Sequence, residues 1–263
     1  MSIDSHSRSR PVATDSAAQR DERPVAGGFL ATRDPQRRDL YAIAGLAAVP
    51  RLLGAVDRCP FRPTYGCFDR EFWHYRTSDF PSEMYQEGVL PLALAFRHDF
   101  PGNRWRGQER IRELAVAGIR FAAQSCRRDG SCDDYYPFER ALGAAVFSFV
   151  AATAAYETLQ LSDGEILRFF ERRADWLVRN DESGRLANHQ ALAARALANA
   201  SRLLGRDDLM IAAQQRVDRV LSWQSPEGWF DEYGGADPGY QTVTIDALVA
   251  LRSVLAPGRL DEP

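Results

Sequence analysis

Residues 141–155 read ALGAAVFSFVAATAA, a run without a charged side chain in which every face of a helix would be small or apolar. A helix that is apolar all round has to be covered on all sides. Residues 191–200 and 243–251 are similarly small and apolar, whereas intervening segments such as QERIRE at 108–113 are amphipathic. This alternation predicts an all-α fold in which inner helices are wrapped by outer helices.

The spacing of apolar residues predicts eight helices, because such residues recur three and four positions apart and nowhere alternate long enough for a sheet. Taken in pairs, these helices form four hairpins of a partial (α/α) toroid without a β-sandwich domain, which we expect to span residues 35–257. Residues 1–34 are polar and expected to be a disordered tail, and residues 258–263 a C-terminal tail. The predicted helices cover residues 36–57, 81–98, 106–127, 138–160, 164–180, 187–204, 207–224 and 240–256.

A glycine loop recurs before the inner helices. Three copies end in an acid: GCFD at 66–69, GSCD at 130–133 and GWFD at 228–231. The fourth loop, at Gly184, keeps the glycine but not the acid that follows it. Such self-similarity is typical of a diverged structural repeat. If the hairpins pack in parallel around a ring, all four loops open onto one face, where we expect them to line a shared cavity.

The composition excludes several classes of function. All 33 basic residues are arginines, so no lysine can form a Schiff base or complete a Walker-type phosphate loop. The net charge of −3 argues against nucleic acid as a partner. The four cysteines and four histidines show no metal-ligand spacing, so neither a metal nor another cofactor is expected. Neither a secretory signal nor a membrane-spanning stretch is predicted, which favours a cytoplasmic protein without a membrane partner.

The loops before the inner helices concentrate aromatic, charged and polar side chains. Aromatic rings on a concave surface stack against sugar faces, and arginines bind carboxylates through paired hydrogen bonds. Helix N-termini add free N–H groups that favour an anion. These features predict an acidic polysaccharide or oligosaccharide as the ligand. The predicted substrate-binding residues are His74, Tyr75, Arg76, Asp134, Tyr135, Tyr136, Glu139, Arg140, Trp229 and Tyr233.

Four elements follow one another along the chain: GSCDDYYP at 130–137, the pair Asn188-His189, GWFDEYGG at 228–235 and Tyr240. Together they resemble the toroid domain of the heparinase II/III-like polysaccharide lyases, which include the oligoalginate lyases, over roughly residues 60–252. The resemblance implies that Asn188, His189 and Tyr240 are catalytic. Such lyases continue into a β-sandwich domain that covers the cleft. We therefore expect either a protein partner that completes the cleft or chemistry that is reduced or lost.

A uronate lyase must stabilise the charge that moves onto the carboxylate when the C5 proton leaves. Asn188 would do so by donating a hydrogen bond, with help from an arginine. His189 or a tyrosinate would abstract the proton, and a tyrosine would protonate the departing O4. Tyr240 is the predicted general acid, because a phenol is protonated at neutral pH and a glycine-rich loop precedes it.

Two other functions stay open. A glycoside hydrolase of the six-hairpin type would pair one protonated carboxyl with one carboxylate. A non-catalytic toroid would bind a polysaccharide or serve as a scaffold for its processing. The carboxyl groups available to a hydrolase are Asp133, Asp134, Glu139, Asp231 and Glu232.

The three predicted catalytic residues also have structural interpretations. Asn188 is a good helix N-cap, and His189 fits a hydrogen-bonded histidine in the first turn. The ring of Tyr240 could be packed between inner helices with its hydroxyl satisfied locally. Only the tertiary contacts of these side chains can separate the two interpretations.

Overall fold

The computed structural model describes residues 35–255. This part of the chain contains no strand, only three isolated bridges, so the predicted all-α class is confirmed. The predicted tails at 1–34 and 258–263 lie outside the described residues. A π-helical turn at Glu71–Tyr75 and a 3₁₀ helix at Glu83–Gly88 precede the second α-helix. The α-helices are α1 (Pro35–Ala55), α2 (Val89–Arg97), α3 (Glu109–Ser125), α4 (Leu142–Thr158), α5 (Gly164–Arg179), α6 (Ala187–Leu204), α7 (Asp207–Ser222) and α8 (Pro238–Leu251).

Several predicted helices differ from the observed ones at their N-terminal ends. α4 begins at Leu142 instead of 138, because Phe138 and Arg140 have φ angles of 64° and 57°, which no right-handed helix can contain. The block predicted at 81–98 is divided into the 3₁₀ helix and α2. α8 begins two residues before the predicted start, where the Asp237 carboxylate accepts a hydrogen bond from the N–H of Tyr240 at 2.9 Å.

The α-helices pack in two rows. α2, α4, α6 and α8 form the inner row, in which each helix contacts the next, and α3, α5 and α7 pack behind it. Alanines such as Ala145, Ala193 and Ala247 are fully buried, which lets the inner helices approach closely. No extensive contact joins α2 to α8, the two ends of the inner row. The inner row is therefore an open series of neighbours.

Contacts at two heights along each pair show that α4, α6 and α8 run parallel. At the start of α6, His189 lies against Gly143 near the start of α4, and Asn188 donates to Glu232 in the loop before α8. Asn199 donates to the Thr153 hydroxyl at 3.2 Å, about three turns into both α6 and α4. Arg195 pairs with Asp246 at 2.6 Å, about two turns into both α6 and α8. The N-termini of these three helices consequently lie at the same end of the molecule. The loops that precede them lie at that end.

The glycine loops pack tightly against outer helices. A Cβ atom at Gly66 would lie 2.3 Å from the backbone of Ala117 in α3, and one at Gly130 would lie 2.3 Å from the backbone of Arg172 in α5. Both glycines also have positive φ angles, which side chains disfavour. The recurrence of glycine at these two positions thus has a packing cause.

Two glutamines reproduce the same loop contact at opposite ends of the inner row. The Gln86 side chain accepts from the N–H of Phe68 at 2.8 Å, and Gln241 accepts from the N–H of Phe230 at 2.8 Å. Each glutamine also donates to a carbonyl of the loop that it holds. The Gly66 and Gly228 loops therefore share a glutamine contact as well as the repeated glycine.

Candidate functional site

A cluster of acidic, imidazole and phenol groups lies where the N-termini of α6 and α8 meet. We call it the α6–α8 site. It combines the three predicted catalytic residues and the predicted binding residue Tyr233 with two carboxylates. Its members are Glu182, Asn188, His189, Glu232, Tyr233 and Tyr240.

The His189 ring is held on three sides. Its Nδ1 lies 2.8 Å from Oε2 of Glu182, and the two side chains are only 17% and 20% exposed. The ring meets Phe147 edge to face at 6.2 Å and lies against Gly143, where a Cβ would be 2.8 Å from Cε1 and 3.0 Å from Nε2. The hydrogen bond from His189 keeps the pKa of Glu182 below its ordinary value. An ionised Glu182 accepts from Nδ1–H, which leaves the lone pair of a neutral ring on Nε2.

Arg216 anchors the loop that carries Glu182. Its buried guanidinium donates to the carbonyls of Leu177 at 2.5 Å and Asn180 at 2.8 Å, which fixes the end of α5. It also lies 3.3 Å from the carboxylate of Asp181, which accepts from the Gln190 amide at 2.5 Å. The residue before Glu182 is thus tied to both α6 and α7, so the position of Glu182 is set by several helices.

Asn188 and Glu232 form a buried pair beneath His189. The Asn188 amide donates to both Glu232 oxygens, at 3.0 and 2.9 Å, and its backbone N–H donates to Oε1 at 2.5 Å. Glu232 therefore caps the first turn of α6 from a distant loop. Asn188 itself is not the N-cap, because α6 already begins at Ala187. Burial raises the pKa of Glu232 above its ordinary value, although the Asn188 donors oppose the shift.

The contacts of Asn188 bear directly on its predicted role. Its side chain is fully buried, and its amide hydrogens are engaged by Glu232. Its Oδ1 atom is buried without a hydrogen-bond partner among the described residues. In this arrangement Asn188 orients the start of α6 and Glu232, and its donors do not point to a ligand at the surface. We therefore treat Asn188 as a positioning residue.

Tyr233 and Tyr240 form the exposed rim of the α6–α8 site. Their ring centroids are 5.8 Å apart and their planes are tilted by 48°. Tyr233 is at the tip of a tight turn in which it and Gly234 both have positive φ, at 55° and 84°. Partial burial, and then the neighbouring Tyr240 and the charges of Glu232 and Glu182, raise the pKa of Tyr233. The phenol of Tyr233 is therefore available as a proton donor at the rim of the α6–α8 site.

The predicted binding residues before α4 form a separate group. Glu139 folds back and accepts hydrogen bonds from the N–H groups of Asp134, Tyr135 and Tyr136, at 3.2, 2.8 and 3.2 Å. Asp134 accepts from the Ser82 hydroxyl at 2.5 Å, and burial raises its pKa. Tyr135 and Tyr136 are left 78% and 69% exposed. This loop offers two exposed phenol rings, whereas the carboxylate of Glu139 is used to shape the loop.

Arg140 and Trp229 each contact residues of their own loop. Arg140 lies 3.6 Å from Asp129, and its N–H donates to the Asp133 carboxylate at 3.2 Å. The Trp229 indole N–H donates to Glu227 at 3.0 Å. These contacts stabilise the loops in which the residues lie.

His74, Tyr75 and Arg76 lie on and just after the π-helical turn. His74 packs between the rings of Trp73 and Tyr75, at 5.1 and 4.8 Å. Arg76 ends the turn with a φ of 56°. The structure places His74 in a cavity beside α3, which shares no lining residue with the α6–α8 site. The predicted binding residues are therefore divided among several loops.

The expected shared cavity is not formed by either of two large cavities in the described part of the chain. These cavities have volumes of about 660 and 720 Å³, flank α3, and do not reach the loops at Gly184 and Gly228.

Residues 35–255 contain no group of three or more His, Cys, Asp or Glu side chains arranged to hold a metal ion. None of the helices in this range combines the length and apolar character that a membrane span requires.

Sequence reasoning missed Glu182 altogether and considered Glu232 only as a hydrolase carboxylate. A signal for Glu182 exists, because the pair Asp181-Glu182 lies just before Gly184, so this loop carries its acids before the glycine instead of after it. No protein-family model, no curated protein and no solved structure matches this chain. The function has to be inferred from the site itself.

Proposed function

We propose that this protein acts on a uronate-containing saccharide by β-elimination at the α6–α8 site. The observation that carries the proposal is the 2.8 Å hydrogen bond between His189 and Glu182, at the end of the molecule where the loop that carries the Tyr233–Tyr240 pair contacts the start of α6 through Glu232. A carboxylate that orients an imidazole beside a proton donor is the arrangement that acid–base chemistry needs. The resemblance to heparinase II/III-like lyases agrees with this choice of reaction.

In the proposed reaction His189 is the base. Because Glu182 holds Nδ1–H, the lone pair on Nε2 can accept the C5 proton of the uronate. The electrons of the C5–H bond form the C4–C5 double bond as the C4–O4 bond breaks. Tyr240 gives its phenol proton to O4, so the products are an unsaturated uronate and a free hydroxyl. The Cε1–Nε2 side of the His189 ring packs against α4 at Gly143, so a substrate proton would reach Nε2 through the 17% of the side chain that stays exposed.

The contacts of the carboxylates favour elimination over hydrolysis by paired acids. Asp133 accepts from the N–H groups of Phe138 and Arg140 and pairs with Arg127. Glu139 is occupied by three backbone N–H groups, and Glu232 by Asn188. A hydrolase needs one carboxylate that is free to act on water or sugar. These three are engaged in holding loops, and the other two candidates, Asp134 and Asp231, accept hydrogen bonds from Ser82 and Arg185.

We also propose that the two rows of helices are part of an (α/α) toroid. The parallel inner helices and the outer row behind them support this arrangement. A protein partner would then complete the cleft along the open inner row. All four cysteines are free thiols, which supports the proposed location in a reducing compartment, the cytoplasm.

The proposal is tested by incubating the protein with alginate and with polygalacturonate and following the ultraviolet absorbance of unsaturated uronate. We expect turnover by the wild type and a loss of at least about 100-fold in His189→Ala and Tyr240→Phe. Arg168→Gln, an exposed substitution on α5, is the matched control and should keep full activity. Binding of these polymers without any unsaturated product would contradict the lyase proposal and favour the non-catalytic alternative.

A further inference from the structure

A second cavity, of about 720 Å³, lies between the end of α1, the π-helical turn and the first half of α3. We call it the Arg70 cavity. Its lining combines indole rings with arginines, and its volume lies in the range of small-molecule sites. The lining residues that matter below are Arg58, Arg62, Arg70, Arg110, Trp73 and Trp105.

The Arg70 cavity is strongly basic. Asp57 is its only acidic lining residue, and that carboxylate is 1% exposed and already accepts from the N–H of Cys59 and the hydroxyl of Thr64. Arg62 lies 3.7 Å from Asp57, and Arg110 lies 3.1 Å from Glu113, so two of the four guanidinium groups have a carboxylate partner. Within residues 35–255 neither Arg58 nor Arg70 forms an ion pair. The cavity therefore has uncompensated positive charge for an anion.

Arg70 is positioned by aromatic rings instead of by an acid. Its guanidinium carbon lies 5.9 Å from the Trp73 ring centroid and 5.1 Å from that of Tyr75. Its Nε atom is buried and has no hydrogen-bond acceptor among the described residues. An oxyanion cannot reach the buried Nε, but the guanidinium of the partly exposed Arg70 can bind one through its terminal nitrogens.

Trp73 is fixed in the wall of this cavity. Its indole N–H donates to the carbonyl of Ala55 at 2.8 Å, and Arg62 lies 6.0 Å from its ring. A fixed indole beside guanidinium groups recognises a ring face that bears an oxyanion. A sugar with a carboxylate combines these two features in one unit.

We propose that the Arg70 cavity is a second binding site for a uronate unit, with the carboxylate on Arg70 and the sugar ring against Trp73. The choice of uronate rests on the proposed function, whereas the anion-binding property rests on the cavity alone. The site shares no residue with the α6–α8 site, so it would hold the saccharide without taking part in the reaction.

The test follows the indole N–H resonances of Trp73 and Trp105 by NMR, because both side chains line the Arg70 cavity. Trp73→Phe and Trp105→Phe assign the two resonances. Galacturonate trimer is the probe, and neutral galactose trimer and sodium sulfate are the comparisons. We expect the uronate trimer to shift both resonances in a saturable manner and the neutral trimer to leave them unchanged. Sulfate at the same concentration should shift them at least tenfold less.

Variants complete the test. Arg70→Gln should weaken the shifts at least tenfold, whereas Arg168→Gln on α5 should not change them. If Arg70→Gln fails to fold, the exposed Arg58→Gln replaces it, with an expected loss of at least threefold. Unchanged affinity in a folded Arg70→Gln, or an equal response to sulfate, would overturn the assignment. His189→Ala should bind the uronate trimer at the Arg70 cavity with wild-type affinity. Loss of elimination activity and loss of the second binding site are therefore observed separately.

Discussion

His189 in the first turn of α6 and Glu182 in the loop after α5 are joined by a hydrogen bond of 2.8 Å between Nδ1 and Oε2. This bond selects the tautomer of the imidazole and leaves Nε2 as its basic atom. Because Arg216 fixes the neighbouring backbone, the pair is part of the folded framework and not a chance surface contact. The proposed chemistry depends on this relationship, and the first two predictions examine it.

Glu182→Gln should reduce turnover of uronate polymers by about 100-fold while the protein stays folded, because the neutral amide no longer stabilises the imidazolium that forms. The imidazole ¹⁵N resonances of His189 should show protonated Nδ1 in the wild type and a mixture of tautomers in the variant. Glu171→Gln, an exposed change on α5, is the control. Retention of the Nδ1–H tautomer and of activity in Glu182→Gln would rule out the orienting role.

Gly143→Ala should displace the His189 ring. The new Cβ would lie 2.8 Å from Cε1, closer than packing allows, so the ring or α4 must move. We expect the free energy of unfolding to fall by about 1–3 kcal/mol and turnover to fall with it. Gly45→Ala is the matched control, because nothing lies within 4 Å of its Cβ position and alanine favours a helix. Wild-type stability and activity in Gly143→Ala would disprove the contact.

Asn188→Asp should make stability depend on pH. The new carboxyl would replace an amide nitrogen that is 2.9 Å from Glu232, so two acids would compete for one buried site. Both folded-state pKa values would be raised, so the destabilisation should be small at pH 5 and reach about 2–4 kcal/mol at pH 8. Thermal unfolding at the two pH values measures it. Asn199→Asp, beside Arg202, is the control, and an equal loss in both variants would contradict the buried pair.

Glu87 should lower the stability of the wild type at alkaline pH. The side chain has no hydrogen bond or ion pair within residues 35–255, and burial raises its pKa from 4.5 to about 7. Because the folded-state pKa is raised, the protonated carboxyl makes its full contribution to stability below about pH 4.5. This contribution is lost as the pH rises through about 7. Glu87→Gln should therefore gain about 2 kcal/mol at pH 8, after allowing for partial exposure, and little at pH 5. Urea unfolding of this variant and of Glu171→Gln at both pH values gives the comparison, in which a gain independent of pH would refute the assignment.

Much of the local structure could be predicted from the sequence. The period of apolar residues located α5, α6 and α7 to within two residues, because the burial of one helical face leaves a direct trace in the residue order. The start of α4 was misplaced, since the positive φ of Phe138 and Arg140 is imposed by the loop around Asp133 and Glu139. Glu232 and Tyr233, adjacent in the loop before α8, contact Asn188 and Tyr240 respectively, so this loop links the start of α6 to the start of α8.

What the sequence by itself determined is the helical class, the alternation of apolar and amphipathic helices, and a chemistry without lysine, because each depends on residue types at short range. Only the tertiary structure decided that Glu182 faces His189, that Glu232 occupies the amide of Asn188, and that four arginines surround one cavity beside α3. Asn188 and Glu232 are 44 residues apart, and Arg58 and Arg110 are 52 apart. Contacts at such separations follow from how the two rows of helices pack, which no local pattern of residues records.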